Sequence, residues 1–364
     1  MSKTGGLAIG VVGLGFGSAF VPIYQRHPNV GRVGICETNP EMLAAAGDRF
    51  GIDDRFSCLD DMLADGGFDA IHLLTPVPLH AEQTLRVLRA GKHCACAVPA
   101  ATSIEDLEAI IAEEEQSGKV YMMMETGIYC REFLYVKDLL DRGELGNLTF
   151  LRGTYYQDLE ADYPKYWWAQ PPMHYATHAL SPLLALTGKR VSKVVCMGSG
   201  RLHSHIQQSG GNVFPLQTAL FQLENSDVVA EVTRSWFQMA RSYTEGFSVY
   251  GDQKGFEWAQ LEDREEPVLF TMEPPRHDIR WRNATSERVV VPYRPDLLPE
   301  ALQEFADGGH GGSHPHLVHE FVTSIVEGRK SRIDARTAAN WTVAGICADL
   351  SARQDGEPIY PPEY

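Results

Sequence analysis

The first third of the chain alternates short apolar runs with stretches of helical periodicity. Continuous apolar runs between turn residues are typical of strands buried in a parallel sheet. Residues 79–90 have helical spacing and end before Gly91, and Thr102 or Ser103 is a capping residue for a further helix. Strands are predicted at residues 7–12, 30–36, 69–76, 93–98 and 119–125. The pattern predicts a doubly wound parallel sheet ending near residue 125.

Beyond residue 125 the pattern changes to strands at hairpin-like spacing. Strands are predicted at residues 148–156, 191–197, 216–223, 228–238, 246–250 and 288–291, with a turn at 225–227. Helices are predicted at 132–142, 315–327 and 335–353, whereas 274–283 and 292–312 lack a periodic pattern. We therefore expect an α/β chain of two domains. Residues 1–125 carry the parallel sheet, and residues 126–364 form an α+β domain with a large, mainly antiparallel open sheet.

Closely spaced glycines follow the first strand directly. Gly13, Gly15 and Gly17 surround Phe16, and the second strand ends at Glu37. Such glycines let backbone N–H groups approach a pyrophosphate, and an acid after the second strand accepts hydrogen bonds from the adenosine ribose. Because its charge repels a 2′-phosphate, the arrangement predicts a Rossmann domain that binds NAD rather than NADP. Glycine also favours tight turns that hold no ligand, but the acid and the flanking strands support the dinucleotide.

The amino-acid composition limits the classes of partner and the cellular compartment that we expect for this chain. A formal charge of −16 with no basic run argues against nucleic-acid binding. No segment reaches the length of a membrane span, and residues 1–6 are too short for a signal peptide. Seven scattered cysteines are typical of reduced thiols, so we expect a cytoplasmic protein. A solvated surface is expected for the acids Glu257, Glu262, Asp263 and Glu265.

The N-terminal part has a strand, a glycine turn, a second strand and an acid, and a mostly antiparallel sheet is predicted after it. In this order of elements the chain resembles the Gfo/Idh/MocA oxidoreductases over essentially its whole length. Residues 75–80, Thr-Pro-Val-Pro-Leu-His, are similar to the Thr-Pro segment of that family, which lines the cofactor. Residues 97–99, Ala-Val-Pro, stand where most members have Glu-Lys-Pro. The resemblance implies a substrate among sugars, polyols and related rings. It also implies NAD contacts from Thr75, Pro76, His80, Val98 and Pro99.

Val98 departs from the family's usual lysine, which assists the substrate hydroxyl during hydride transfer. An isopropyl group cannot exchange a proton. The NAD-dependent α-N-acetylgalactosaminidases also lack that lysine, and residues 98–101, 122–131 and 175–182 are similar to theirs. Gln157 stands where that branch has a histidine. The resemblance implies functional positions at Glu125 (beside the cofactor), Tyr155, Tyr175, His178 and the His-Gly-Gly that begins at His310.

These redox glycosidases oxidise a ring carbon, remove the neighbouring C–H proton, release the glycosidic group, add water and return the hydride. The cycle needs one base for the hydroxyl proton and another for the C–H proton. His178 suits the first role because imidazole titrates near neutral pH. Tyr175, three residues earlier on the expected helix face, and Tyr155 suit the second if a positive charge lowers the tyrosine pKa. Each could instead be an ordinary buried side chain.

Other residues are candidates for contact with the substrate. Trp167 belongs to an aromatic run at residues 163–168 that offers an indole face to a sugar, although packing or subunit contact explains it equally well. His174 and Gln157 are further candidates, and so is His310 in a glycine-rich segment expected to form a lid. The spacing of His174 and His178, or the cluster His310, His314, His316 and His319, could hold a metal. Neither has clear ligand spacing, so no metal is expected.

The sequence therefore favours an NAD-dependent oxidoreductase that acts on a sugar or glycoside by hydride transfer. A homodimer or homotetramer packed through the open sheet is expected. One alternative is a glycosidase or lyase whose tightly bound NAD undergoes no net change. The other is a non-catalytic sensor or partner subunit that binds NAD and a sugar, for which Val98 is the only support.

Overall fold

The computed structural model describes residues 5–161, 163–261, 264–278 and 280–364, so Glu262 and Asp263 lie outside the described residues. The chain forms two compact units. The first contains the described residues up to Cys130, Tyr293–Ala339 and Tyr364, and the second contains Arg131–Pro292 and Asn340–Glu363. The sequence predicts one domain boundary, at residue 125, which places residues 293–339 in the C-terminal domain. In the structure these residues pack with the first unit.

The first unit is built on a six-stranded parallel sheet in the order β3-β2-β1-β4-β5-β6, which confirms the predicted Rossmann sheet. Ser103 accepts a hydrogen bond from the Asp106 N–H and thereby caps the last helix before β6. The strands are β1 (Leu7–Val12), β2 (Val30–Cys36), β3 (Arg55–Phe56), β4 (Ala70–Leu73), β5 (His93–Cys96) and β6 (Tyr121–Met123). The helices are α1 (Leu14–Gly17), α2 (Val21–Arg26), α3 (Pro40–Phe50), α4 (Leu59–Ala64), α5 (His80–Arg89) and α6 (Ile104–Ser117).

The second unit is built on an eight-stranded sheet in the order β14-β13-β12-β11-β7-β10-β9-β8. All neighbours are antiparallel except β7 and β10, which are parallel. The strands are β7 (Leu148–Tyr156), β8 (Val191–Ser199), β9 (Leu216–Leu223), β10 (Val229–Ser235), β11 (Thr244–Gly251), β12 (Lys254–Glu257), β13 (Val268–Met272) and β14 (Ala284–Arg288). The helices are α7 (Arg131–Asp141), α8 (Thr177–Thr187) and α9 (Ser204–Gln207). Helix α8 approaches β7 closely, since a Cβ on Gly153 would lie 2.1 Å from the Ala179 carbonyl oxygen.

The far edge of this sheet differs from the prediction. The prediction of a strand at residues 288–291 is wrong. The strand observed in this part of the chain is β14, which ends at Arg288. All five residues of β14 are exposed, so no apolar alternation marks it. Strands β12 and β13, of four and five residues, were not predicted.

The last part of the chain contains α10 (Ser313–Glu327) and α11 (Ala335–Arg353), the second of which was predicted in full. The segment before α11 belongs to the first unit because it bonds to that unit's edge strand. The Met123 N–H donates to the Ile333 carbonyl at 3.0 Å, and Ser331 Oγ donates to the Tyr121 carbonyl at 2.6 Å. None of the helices in the described ranges combines the length and the apolar character that a membrane span requires.

Candidate active site

The predicted cofactor residues of the first unit lie at one edge of its sheet. Gly13 follows β1, Glu37 follows β2, Thr75 and Pro76 follow β4, Val98 and Pro99 follow β5, and Glu125 follows β6. These are the carboxyl ends of parallel strands, and the strand order reverses between β1 and β4. Doubly wound sheets bind their ligands at such a switch point.

The glycine turn leaves room for a ligand. Gly13 has a φ of 88°, and a Cβ there would lie 2.5 Å from the Leu74 carbonyl oxygen, so a side chain does not fit. At Gly15 no heavy atom lies within 4 Å of a Cβ position. A Cβ on Gly17 would lie 3.2 Å from Leu74 and Val11, where α1 packs on the sheet. The three positions fit a tight turn, backbone approach to a pyrophosphate, and close helix–strand packing.

Glu37 stands beside this turn as a carboxylate. Its Oε2 accepts a hydrogen bond from the Leu14 N–H at 2.9 Å, and its Oε1 accepts one from the Asn39 N–H at 3.0 Å. Burial opposes the negative charge, but these N–H donors lower the pKa of Glu37. An anionic carboxylate here fits the ribose hydroxyls of NAD and disfavours a 2′-phosphate.

His80 positions two segments of the cofactor edge, and its direct contact with NAD stays a prediction. Its ring is buried, with Nδ1 2.8 Å from the Pro99 carbonyl oxygen and Nε2 2.8 Å from that of Thr75. Two carbonyls can accept from one ring only if both nitrogens carry hydrogen. Although burial opposes the charge, Cys96 and the two carbonyls raise the pKa of His80 to about 9. His80 is therefore a buried imidazolium that holds the Thr75 and Pro99 turns.

The remaining cofactor-edge residues differ in burial, since Thr75 is half-buried and Pro76 is exposed, whereas Val98, Pro99 and Glu125 are buried. Val98 is buried and offers no proton donor or acceptor at the position of the family's usual lysine. Thr75 Oγ1 donates to Gln83 Oε1 at 2.5 Å. Glu125 is fully buried, and its Oε1 accepts from the Gly127 N–H at 2.8 Å, which caps the turn after β6.

Phe16 and His310 meet beside the glycine turn. Phe16 is 43% exposed, and its ring packs edge-on against His310 at 5.4 Å and His314 at 5.3 Å. His310 was predicted to contact substrate from a histidine-rich lid. The role of this segment as a lid stays a prediction, whereas the helix predicted at 315–327 is confirmed as α10, which begins two residues earlier at Ser313. His314, His316 and His319 therefore lie in α10.

Three neighbouring strands of the second unit place Arg234, Tyr155 and Glu245 in one row. Strand β7 lies between β10 and β11, and Tyr155 pairs in register with Arg234 on one side and Glu245 on the other. Paired positions project from the same face of a sheet. The buried Tyr155 ring has the Arg234 guanidinium 3.7 Å from its centroid. A cation and a carboxylate thus flank a predicted catalytic tyrosine.

His178 packs against this row from α8. Its ring centroid lies 5.4 Å from that of Tyr155 and 5.2 Å from that of Tyr175. Its Nδ1 lies 3.4 Å from Glu245 Oε1, and both side chains are largely buried. Such a carboxylate stabilises the imidazolium that forms when His178 takes up a proton. The structure therefore brings the three predicted catalytic residues together.

Arg234 carries the positive charge of this cluster. It is fully buried and donates to the Tyr155 carbonyl at 3.1 Å, to Gln157 Oε1 at 2.7 Å and to the Ser235 carbonyl. Its guanidinium also lies 3.7 Å from the Trp236 ring centroid. Burial lowers the pKa of Arg234 to about 10, which leaves it charged at neutral pH. Burial and Glu245 raise the pKa of Tyr155, while Arg234 acts against that rise.

Gln157 and Trp167, two predicted substrate contacts, lie in the same cluster. The amide oxygen of Gln157 is held by Arg234. The partly exposed Trp167 ring lies 5.2 Å from that of Tyr175 and 5.1 Å from that of Trp236. The aromatic run therefore reaches a predicted catalytic tyrosine.

His174 does not join the cluster, contrary to the prediction. Its Nε2 lies 3.7 Å from Asp349 Oδ2 in α11, whereas His178 contacts Glu245. The two histidines therefore do not form a ligand pair. The reason is local, because His174 and Tyr175 belong to a 3-10 turn, Pro172–Tyr175, that precedes α8.

Three members of the cluster were not predicted from the sequence. Glu245 and Tyr243 precede the predicted strand core, and Tyr243 donates its hydroxyl hydrogen to Glu245 Oε2. Arg234 had a detectable signal, because it occupies an inward position of β10 that is otherwise apolar. The inward residues of that stretch are Ala230, Val232, Arg234 and Trp236.

Two family models match the chain. Residues 7–125 match an oxidoreductase family with an NAD-binding Rossmann fold, and residues 133–257 match the GFO/IDH/MocA C-terminal domain. The chain belongs to the Gfo/Idh/MocA oxidoreductase family. The glycine turn and Glu37 fit the NAD of this family, so NAD is the cofactor.

The relatives that this chain resembles are named for different reactions. A glycosyl hydrolase family 109 protein of Porphyromonas gingivalis is 23% identical over 98% of this chain and 84% of its own length. Levoglucosan dehydrogenase of Pseudarthrobacter phenanthrenivorans is 30% identical over 43% of this chain and 42% of its own. A solved levoglucosan dehydrogenase in complex with NADH superposes with a TM-score of 0.82 at 22% identity, covering 99% of this chain and 100% of that one. That likeness shows a shared fold.

Replacing Glu37 with Ala should weaken the preference for NAD over NADP. The variant loses the acceptor for the ribose hydroxyls and the charge that repels a 2′-phosphate. Because hydrogen bonds to charged groups are strong, we expect the ratio of the two dissociation constants to change by about tenfold or more. Calorimetric titration with both dinucleotides measures it, with Glu41→Ala as an exposed-acid control. An unchanged ratio would contradict the assigned role of Glu37.

Replacing His80 with Gln should remove a pH-dependent part of the stability. A group whose pKa rises on folding, here from 6.5 to about 9, stabilises the folded state below the lower value. The stabilisation is lost as pH rises through the higher value. Urea titrations should show the wild-type free energy of unfolding falling across this range by on the order of 3 kcal/mol more than that of the variant. Exposed His277→Gln is the control, and equal pH dependence in wild type and His80→Gln excludes a buried imidazolium.

Proposed function

We propose that this protein oxidises a ring hydroxyl of a sugar or glycoside. His178 takes up the hydroxyl proton while the hydride leaves the same carbon, and Glu245 stabilises the resulting imidazolium. The observation that carries the proposal is the His178–Glu245 pair, 3.4 Å apart, beside Tyr155 and Tyr175. This pair supplies the base that Val98 cannot.

NAD supplies the oxidising equivalent when bound, because it accepts the hydride. Gly13, Gly15 and Glu37 would hold its pyrophosphate and ribose. Trp167 and Tyr175 offer aromatic faces and a hydroxyl to a sugar ring. The levoglucosan bound by one structural relative is a sugar of this kind, and it supports the same substrate class here.

A second candidate function is redox-neutral cleavage of a glycoside. A ring ketone acidifies the neighbouring C–H, Tyr175 or Tyr155 as phenolate takes that proton, and the glycosidic C–O bond breaks as its oxygen gains a proton. Water then adds to the double bond and the hydride returns, so one water is consumed and no NAD. The buried Arg234 counteracts the rise in the Tyr155 pKa that burial and Glu245 cause, and the relatives named as glycosyl hydrolases, which match 98% of this chain, support this outcome.

One variant tests the step that both reactions share, and a second variant separates the two functions. His178→Ala should lower kcat by about 10²–10⁴-fold in either reaction, because both begin with the hydroxyl base. Tyr175→Phe should spare NADH formation from free sugars but abolish aglycone release from aryl glycosides. NADH absorbance and aglycone release are followed together, with His277→Gln as the control.

The outcomes assign the reaction. Net NADH from free sugars means a dehydrogenase, and aglycone release without net NADH means a redox glycosidase. Calorimetric binding of NAD and sugar without turnover in wild type would instead mean a sensor or partner subunit.

We also propose that the protein is a homodimer or homotetramer packed through the open face of the second sheet, and that it is cytoplasmic. Helix α8 covers one face. The other face forms a hollow of about 360 Å³, lined in part by Arg152, Thr154, Glu231 and Trp258. No disulfide joins the seven cysteines in the described part of the chain, which supports a reducing compartment.

Thr154→Arg should shift the assembly towards monomer, because it places a second cation in that hollow beside Arg152. Light scattering coupled to size exclusion measures the mass, and Gln116→Arg, on the exposed surface of α6, is the matched control. An unchanged mass for Thr154→Arg would place any interface elsewhere, and a monomeric wild type would exclude assembly.

A further inference from the structure

Three metal-ligand atoms converge at the surface of the second unit, on Glu160, His203 and His205. Glu160 Oε1 lies 3.0 Å from His203 Nδ1 and 2.8 Å from His205 Nε2. All three atoms lie within 4.8 Å of one another. Ligands about 2.05 Å from a tetrahedral zinc ion are about 3.3 Å apart. The two separations from Glu160 therefore need to lengthen by only about 0.3–0.5 Å to accept an ion.

We propose that Glu160, His203 and His205 bind a divalent transition-metal ion of the zinc class. Two imidazoles and one carboxylate suit zinc, whereas magnesium and calcium prefer oxygen ligands throughout. The two histidine side chains are 53% and 52% exposed, so an ion enters from solvent and water completes its coordination. The proposal is independent of the proposed function, because none of these residues belongs to the catalytic cluster.

Each ligand is fixed by a buried neighbour in the chain. Leu159 precedes Glu160, Leu202 precedes His203, and Ile206 follows His205. These three apolar side chains belong to one buried core that also contains Trp236 and Phe237. Because the anchors pack together, the polar side chains beside them emerge together at the surface.

A second layer of hydrogen bonds braces the ligands. Asp158 Oδ1 accepts from the Glu160 N–H, and its Oδ2 accepts from the Gln238 N–H, each at 3.1 Å. Gln238 Oε1 in turn accepts from the His203 N–H at 3.1 Å. Gln238 has a φ of 59°, which is rare outside glycine, so this network holds an uncommon backbone conformation. Such outer contacts orient metal ligands and raise their affinity.

Calorimetric titration of the full chain with zinc chloride tests the proposal, after any affinity tag and bound metal have been removed. Wild type should bind a zinc ion that Glu160→Gln and His205→Gln bind about tenfold or more weakly. His277→Gln, another exposed histidine, should bind zinc as wild type does. Magnesium chloride in excess should not compete. Absence of zinc binding in wild type, or equal affinity in the two ligand variants, overturns the proposal.

Three further measurements distinguish loss of the ligands from misfolding. Asp158→Asn keeps all three ligands but weakens their brace, so it should lower zinc affinity by less than the ligand variants do. NAD binding, which depends on residues of the first unit, should be unchanged in every variant. Cobalt substituted for zinc should give the visible absorption of a four-coordinate site in wild type and not in His203→Ala. A cobalt spectrum that is the same in wild type and His203→Ala would contradict the assigned ligand set.

Discussion

The buried guanidinium of Arg234 is the interaction on which the arrangement of the second unit depends. A charge removed from water costs several kcal/mol unless its surroundings compensate for it. Here the compensation comes from the carbonyls of Tyr155 and Ser235, the amide oxygen of Gln157 and two aromatic faces. The demand of one cation for acceptors therefore orients the tyrosine, the glutamine and the tryptophan together.

The Arg234 charge also sets the electrostatic surroundings of the candidate catalytic residues. Tyr155 lies between a cation on β10 and a carboxylate on β11, and that carboxylate also contacts His178. A proton accepted by the imidazole is thus stabilised without a lysine. In the proposed reaction this histidine–carboxylate pair would take the role of base that an isopropyl side chain such as Val98 cannot fill.

Trp236 connects this cluster with the surface group of Glu160, His203 and His205. Its ring stacks with Arg234 and Trp167 on one side, and it belongs to the core of Leu159, Leu202 and Ile206 on the other. In the first unit His80 has a comparable positioning role, since one buried imidazolium holds two turns of the cofactor edge. Both units therefore use a buried cation to fix loops at their candidate sites.

Features that depend on neighbours along the chain could be predicted before the fold was known. The glycine turn, the acid at Glu37, the parallel sheet and α11 could be predicted because local periodicity and turn chemistry specify them. Short exposed strands such as β14 carry no such signal, and a 3-10 turn before α8 separated His174 from His178.

Contacts between residues that are distant in sequence depend on how the strands and helices pack. Arg234, Tyr155 and Glu245 form a row because of strand register across β10, β7 and β11, and register is a property of the sheet and not of any one strand. Residues 293–339 pack with the first unit because residue 333 bonds to the edge strand β6. Glu160, His203 and His205 also converge through tertiary packing. Their neighbours along the chain, although distant from one another in sequence, pack into one shared core.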